Sequence, residues 1–273
     1  MRIHVDGVSL EVQDSGEGPA VLLVHGFPDT HALWRAQVHA LNAAGYRTIA
    51  PDQRGYGASD RPQEVADYGM EEQIRDLTGI LGVLGVPEVH LVGHDTGAAI
   101  AIAFAAFLPE RVVSLTSLSV GHASAFAAAG LPQREKSWYM LAFHFPGLAE
   151  EWLSRDDFAA LRDWTRHPEA DEVVARLSDP AALTSALGFY RANITPESLL
   201  LPANTLPQLK VPTMGVWSSG DRFLIEEQVT GTERHVTGPW RYERLEGAGH
   251  WMTLEAPEEV NALLLDFLGS VRR

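Results

Sequence analysis

The chain contains no cysteine. That excludes a disulfide framework, a thiol nucleophile and thiolate metal sites. Basic residues are also scarce: 21 Lys and Arg stand against 36 Asp and Glu, a net charge of −15. Such a balance disfavours nucleic acid and anionic membranes as partners. It weakly opposes anionic substrates too, unless the charge of a pocket outweighs the global field. No uncharged apolar run reaches the roughly 18–20 residues that span a bilayer. Ala98–Leu108 is too short and reads as a core helix. The start, Met1-Arg2-Ile3-His4-Val5-Asp6, lacks the apolar h-region of a signal peptide. Internal repeats and low-complexity tails are missing. A soluble, cytoplasmic protein is expected, with no nucleic-acid or membrane partner, working as a monomer or homodimer.

What is present is ample for a core. The 273 residues are 45% hydrophobic, enough for one large α/β domain with an insertion or for two small domains. Ile3/Val5 and Val8/Leu10/Val12 alternate around Asp6-Gly7, which predicts an opening hairpin. Short apolar runs at Ala20–Val24, Tyr46–Ala50, Val89–Val92, Val112–Leu118, Val211–Trp217 and Arg241–Leu245 read as strands. Helical patterns lie at His31–Ala44, Glu71–Leu84 and Pro257–Leu268. Alternating strands and helices imply an α/β fold with a mainly parallel central sheet flanked by helices. Residues 122–205 break the alternation, with helical patterns at Glu150–Thr165, Ala170–Leu177 and Pro180–Ala192. They are expected to form a helical lid over the carboxyl edge of a core made of 1–121 and 206–273.

The chemistry starts at Gly93-His94-Asp95-Thr96-Gly97, between the apolar run 89–92 and the helix-like stretch Ala98–Phe107. This resembles the nucleophile elbow of the α/β hydrolases, with aspartate where serine is usual. A carboxylate is ionised near neutral pH and needs no base to activate it. It suits attack on a saturated carbon, such as an epoxide or a carbon bearing halogen, and leaves an alkyl ester for water to cleave. That water needs a base, and histidine titrates in the right range. Gly247-Ala248-Gly249-His250-Trp251 follows a predicted strand and offers His250; Asp221, in Ser219-Gly220-Asp221-Arg222, follows the strand before it. The order nucleophile, acid, histidine is that of the α/β hydrolases. Backbone N–H groups of Thr96 and Phe27 are the expected oxyanion donors. His25 and His94 read as structural. His90 and His94 are four apart on a strand and form no zinc motif, and no cofactor or metal is expected.

His25-Gly26-Phe27-Pro28 with Trp34 downstream, Asp52-Gln53-Arg54-Gly55-Tyr56-Gly57-Ala58-Ser59 and Gly93-His94-Asp95 together resemble the epoxide hydrolases of the α/β-hydrolase fold. The resemblance spans nearly the whole chain, although the first two motifs are shared with related dehalogenases and esterases. Tyr139-Met140-Leu141-Ala142-Phe143-His144-Phe145-Pro146 and Leu187-Gly188-Phe189-Tyr190-Arg191-Ala192-Asn193 are similar to the family's two lid segments. The resemblance thus implies that Tyr139 and Tyr190 hold the epoxide oxygen. A phenol with pKa near 10 stays protonated at neutral pH and can donate to the alkoxide formed on ring opening. Trp34, Trp138, Phe143 and Leu187 are the expected substrate-binding side chains.

Thr96 departs from the pattern. Many relatives carry tryptophan there, and fluoroacetate-type dehalogenases carry arginine. Thr96 replaces either group but keeps its N–H. The reading is an epoxide hydrolase forming a vicinal diol. A haloalkane or haloacid dehalogenase with the same Asp-His-Asp set, and a non-catalytic ligand receptor, are the alternatives.

Overall fold

The computed structural model describes residues 1–201 and 206–271. Asp6 and Gly7 turn the chain between β1 (Arg2–Val5) and β2 (Val8–Ser15), with Val5 opposite Val8. Both turn residues take positive φ, 44° and 90°, the backbone of a two-residue hairpin loop. With β3 (Ala20–Val24), β4 (Arg47–Pro51), β5 (Val89–His94), β6 (Val112–Leu118), β7 (Thr213–Ser218) and β8 (Trp240–Leu245), these strands form one eight-stranded sheet. Its order is β1-β2-β4-β3-β5-β6-β7-β8. β2 pairs antiparallel with β1 and β4, and every other pair is parallel.

Both faces of the sheet are covered. Along β3, Val21 and Leu23 enter one core while Leu22 and Val24 enter the other, the two-residue period of a strand. The first three helices are α1 (Arg35–Ala43), α2 (Met70–Val83) and α3 (Thr96–Phe107). Leu77, Ile80, Ile100 and Phe104 of α2 and α3 cover the Leu22 face. Between β6 and β7 come α4 (Ala123–Ala128), α5 (Gly130–Lys136), α6 (Trp138–Ala142), α7 (Leu148–Thr165), α8 (Ala170–Leu177), α9 (Pro180–Ala186), α10 (Gly188–Asn193) and α11 (Pro196–Leu200). α12 (Glu226–Thr230) joins β7 to β8, and α13 (Met252–Glu255) and α14 (Pro257–Ser270) follow β8. Val38 and Leu41 of α1 and Leu264 and Leu268 of α14 share the second core with buried residues of the inserted helices.

The strand expectations hold with ends shifted by a residue or two. Three expected helices are divided, one of them Glu150–Thr165, whose backbone leaves helical geometry over Arg155–Phe158. His31–Ala44 opens as a 3-10 turn over His31–Trp34 before α1, and Pro180–Ala192 breaks at Leu187, just before the weak helix former Gly188. The expected boundary at 205/206 touches residues 202–205, which lie outside the described residues. Among the described residues no helix is long and apolar enough to cross a membrane.

The topology places a site. After β4 the chain crosses back over β3 to begin β5, so consecutive connections run to opposite sides of β3. Loops leaving β3 and β5 meet at this switch, where open α/β sheets bind ligands. Phe27 follows β3 and Asp95 follows β5.

Candidate active site

Asp95 stands between the last residue of β5 and the first of α3, at φ 53° and ψ −127°. A non-glycine residue there stores roughly 1–3 kcal/mol of strain, held by the packing around it. α3 lies so close to β3 that a Cβ on Gly97 would collide with the carbonyl oxygens of Val24 and His25. The sharp turn throws the Asp95 carboxylate to the sheet's carboxyl edge while its carbonyl accepts from Ala98 N at 2.9 Å.

Two neighbours meet that carboxylate. Phe27 N–H donates to Oδ1 at 3.0 Å, and His250 Nε2 lies 3.5 Å from Oδ2. The other ring nitrogen, Nδ1, is 2.9 Å from Asp221 Oδ2. Asp221 is fully engaged, because its Oδ1 also accepts from Phe223 N at 2.8 Å and Leu224 N at 3.0 Å. Burial alone would raise the Asp221 carboxyl, but the His250 charge and these hydrogen bonds hold it below the ordinary value. Burial would likewise lower His250, yet Asp221 and then Asp95 push it up to about 10. His94 turns behind this set and donates from Nε2 to the His250 carbonyl at 2.9 Å. Its burial, with His250 beside it, lowers its pKa to about 4. His25 stands apart from this set and accepts from Gln53 N at 3.0 Å.

Tyr139 of α6 and Tyr190 of α10 face the same carboxylate from above. Their ring centroids lie 6.1 Å apart, and both join Asp95 and His250 around a void of about 10 Å³, close to the size of one water. Burial and the nearby Asp95 charge push both phenols well above 10, so they stay protonated. The buried tyrosines Tyr56 and Tyr68 donate to the carbonyls of Ala186 and Pro62. Among the described residues, the Tyr139 and Tyr190 hydroxyls have no protein partner. Arg191 holds α10 in place, donating from Nε to the Phe143 carbonyl and from its terminal nitrogens to Glu150. Asn193 ties the same helix to the core through the Tyr68 carbonyl and Met70 N.

Both tyrosines and Asp95 also border a larger cavity of about 270 Å³. Its wall is mostly apolar, including Ile102, Phe126, Met140, Phe189 and Leu199. The four side chains expected to bind substrate line neither space. Trp34 is wholly buried in the core beneath. Phe143 and Leu187 are fully buried behind the wall, with Phe143 packed 5.5 Å from Tyr139 and 5.0 Å from Tyr190. Trp138 is 48% exposed and packs on Trp152 at the outer surface. Thr96 does line the cavity, but among the described residues only Phe27 donates a backbone N–H to the Asp95 carboxylate.

One buried group was not anticipated. Asp29 accepts from Trp251 Nε1 at 2.9 Å and lies 3.1 Å from His167 Nε2. It thereby ties the His250 loop to the inserted helices. Its place directly after His25-Gly26-Phe27-Pro28 was the one available signal. Among the described residues no group of three or more His, Cys, Asp or Glu could hold a metal ion.

Known proteins share this arrangement of chain. Residues 19–257 match the α/β hydrolase fold family. Epoxide hydrolase A of Mycobacterium tuberculosis is 30% identical, over 97% of this chain and 96% of its own length. Epoxide hydrolase 3 of Xenopus tropicalis is 33% identical, over 98% and 77%. A solved structure of a Bacillus megaterium epoxide hydrolase variant, bound to its product (R)-3-[1]naphthyloxy-propane-1,2-diol, superposes with a TM-score of 0.87. It is 28% identical over 98% of this chain and 100% of that one. With a match across most of its length and relatives at this identity over nearly all of it, the chain is a hydrolase that belongs to the epoxide hydrolases of the α/β-hydrolase fold.

Proposed function

We propose that this protein opens epoxides to vicinal diols through a covalent ester on Asp95. The observation that carries the reading is the pair of buried phenols beside Asp95 whose hydroxyls have no protein partner among the described residues. A halide leaves as a weak base and needs no acid to protonate it. An epoxide oxygen leaves as an alkoxide and does.

Asp95 Oδ2 attacks an epoxide carbon. The carbon–oxygen bond breaks toward oxygen, which Tyr139 and Tyr190 receive with hydrogen bonds and supply with a proton. Water in the small space lined by His250 then loses a proton to Nε2 and adds to the Asp95 carboxyl carbon. Negative charge develops on Oδ1, where the Phe27 N–H already points and the Thr96 N–H, in the first turn of α3, is the second donor. Collapse expels the diol with Oδ2 as its new hydroxyl oxygen and leaves the water's oxygen on Asp95. Asp221 fixes the imidazole so that Nε2 faces the ester. The Bacillus megaterium relative holds a diol of this kind as its product. In this scheme residues 122–205 form a lid on the core of 1–121 and 206–273, and supply both tyrosines.

Single turnover in heavy-oxygen water tests the scheme: label must enter Asp95 and not the first equivalent of diol. His250→Ala must accumulate an alkyl-enzyme adduct visible by intact mass, with halide release from haloalkanes and fluoroacetate assayed in parallel. Sustained turnover by Asp95→Ala, or halide release without diol, overturns it.

A further inference from the structure

The wall of the 270 Å³ cavity carries one cation, Arg134 of α5. Its Nε donates to the Leu199 carbonyl at 3.0 Å, which fixes the guanidinium against α11. Among the described residues it makes no ion pair. That sets it apart in a chain where most arginines meet a carboxylate, as Arg54 meets Asp76, Arg61 meets Asp179 and Arg191 meets Glu150. Of the other polar side chains of the wall outside the reacting groups, only the Thr96 hydroxyl has no partner among the described residues. Asn193 bonds Tyr68, Phe189 and Met70, and the Ser198 hydroxyl donates to the Thr195 carbonyl at 2.9 Å. What the wall offers a ligand, apart from the reacting groups, is apolar surface, the neutral Thr96 hydroxyl beside Asp95 and one free guanidinium.

A partly buried cation has lost water without gaining a counter-ion, a cost that a bound anion removes. The placement runs against the composition, since a chain with net charge −15 has little reason to leave an arginine unpaired beside a pocket. We propose that Arg134 is a specificity-determining residue that anchors a carboxylate on the substrate. The preferred substrate is then an epoxide joined through an apolar spacer to a carboxylic acid: the ring at Asp95 and the tyrosines, the spacer along Ile102, Phe126 and Met140, the acid at Arg134. This rests on the epoxide hydrolase reading of the same cavity.

Matched pairs of terminal-epoxide carboxylic acids and their methyl esters, over a graded series of methylene spacers, test it. At the best spacer the acid is expected to exceed its ester at least about tenfold in kcat/KM, a difference of about 1.4 kcal/mol. Arg134→Gln should abolish that preference chiefly through KM for the acid, and Arg134→Lys, which keeps the charge, should retain part of it. On the wild-type protein alone, unreactive alkanoates should inhibit more strongly than alkanols of equal length. Esters turned over as well as acids at every spacer, or equal inhibition by alkanoate and alkanol, overturn the anchor and leave epoxide hydrolysis standing. Diol from neither acid nor ester overturns both.

Discussion

Replacing Tyr139 and Tyr190 by phenylalanine, singly and together, separates ring opening from everything else the site does. The Tyr139 and Tyr190 hydroxyls have no protein partner among the described residues, so their loss leaves no buried group unpaired and should barely move the unfolding midpoint. Tyr56→Phe is the contrast: its hydroxyl donates to the Ala186 carbonyl at 2.8 Å, and stranding that carbonyl costs roughly 1–3 kcal/mol. On the chemical step the ranking reverses. Removing one preorganised donor from a developing oxyanion costs about 10²–10³ in rate. In the proposed scheme two donors share the epoxide oxygen, so each single variant should lose about tenfold to a hundredfold and the double variant about 10⁴ or more. Trp164 lies 4.8 Å from the Tyr139 ring, so stopped-flow tryptophan fluorescence can follow alkylation of Asp95 directly. Hydrolysis of the ester, measured in the same traces, should change far less. A double variant that alkylates within tenfold of wild type would refute the assignment, whatever its steady-state rate.

Asp221→Asn keeps an acceptor for Phe223 and Leu224 but turns an NH₂ toward His250 Nδ1, so the imidazole must carry its proton on Nε2 and cannot serve as base. Ester hydrolysis should fall by about 10⁴ with alkylation retained, giving a stoichiometric burst and little turnover; unchanged turnover would remove Asp221 from the scheme. Folded His250 sits at about 10 against an ordinary 6.5, so its stabilising contribution is complete below about 6.5 and is lost as pH rises toward 10. Urea midpoints of the wild type should fall over that range more than those of His250→Gln. His94 is opposite in sign: at about 4 in the folded chain, it lets the unfolded state take up a proton first, so stability drains as pH falls from about 6.5 to 4. His94→Gln should flatten that loss, and an unaltered acid limb would refute the burial argument.

Much of this was legible in the chain because it rests on local rules. Period-two alternation marks the hairpin and strands, and paired glycines around an aspartate mark a turn too tight for side chains. Asp95, Asp221 and His250 come together because each follows a strand of one sheet and so reaches the same edge. The cavity wall was not legible. Trp34, Trp138, Phe143 and Leu187 are large apolar residues near the right motifs. In short helices such as α6 and α10, however, one residue faces the cavity and the next faces the core or solvent, and five or six residues carry too little period to tell. Asp29 was hidden for a different reason: its partners Trp251 and His167 lie 222 and 138 positions away, and only the folded chain brings them together.

The two halves of the proposed reaction place opposite demands on protons, and the site's own charges reconcile them. Ring opening needs a proton for the alkoxide. The tyrosines nearest to it are held well above 10 by burial and by Asp95, so a lasting phenolate beside the ester would be costly. Ester hydrolysis needs His250 without its proton, yet in the resting site Asp221 and Asp95 keep it on. Alkylation changes that balance, because the Asp95 charge 3.5 Å from Nε2 becomes a neutral ester and one of the two groups holding the imidazolium is gone. A proton released from His250 after alkylation then restores the one a tyrosine gave to the new alkoxide: the tyrosines end as they began, and the imidazole emerges neutral at the moment water must be activated. On this account the tyrosines supply the proton and the imidazole restores it. Among the described residues their hydroxyls have no protein partner, so each is free to donate to the alkoxide and to take its proton back.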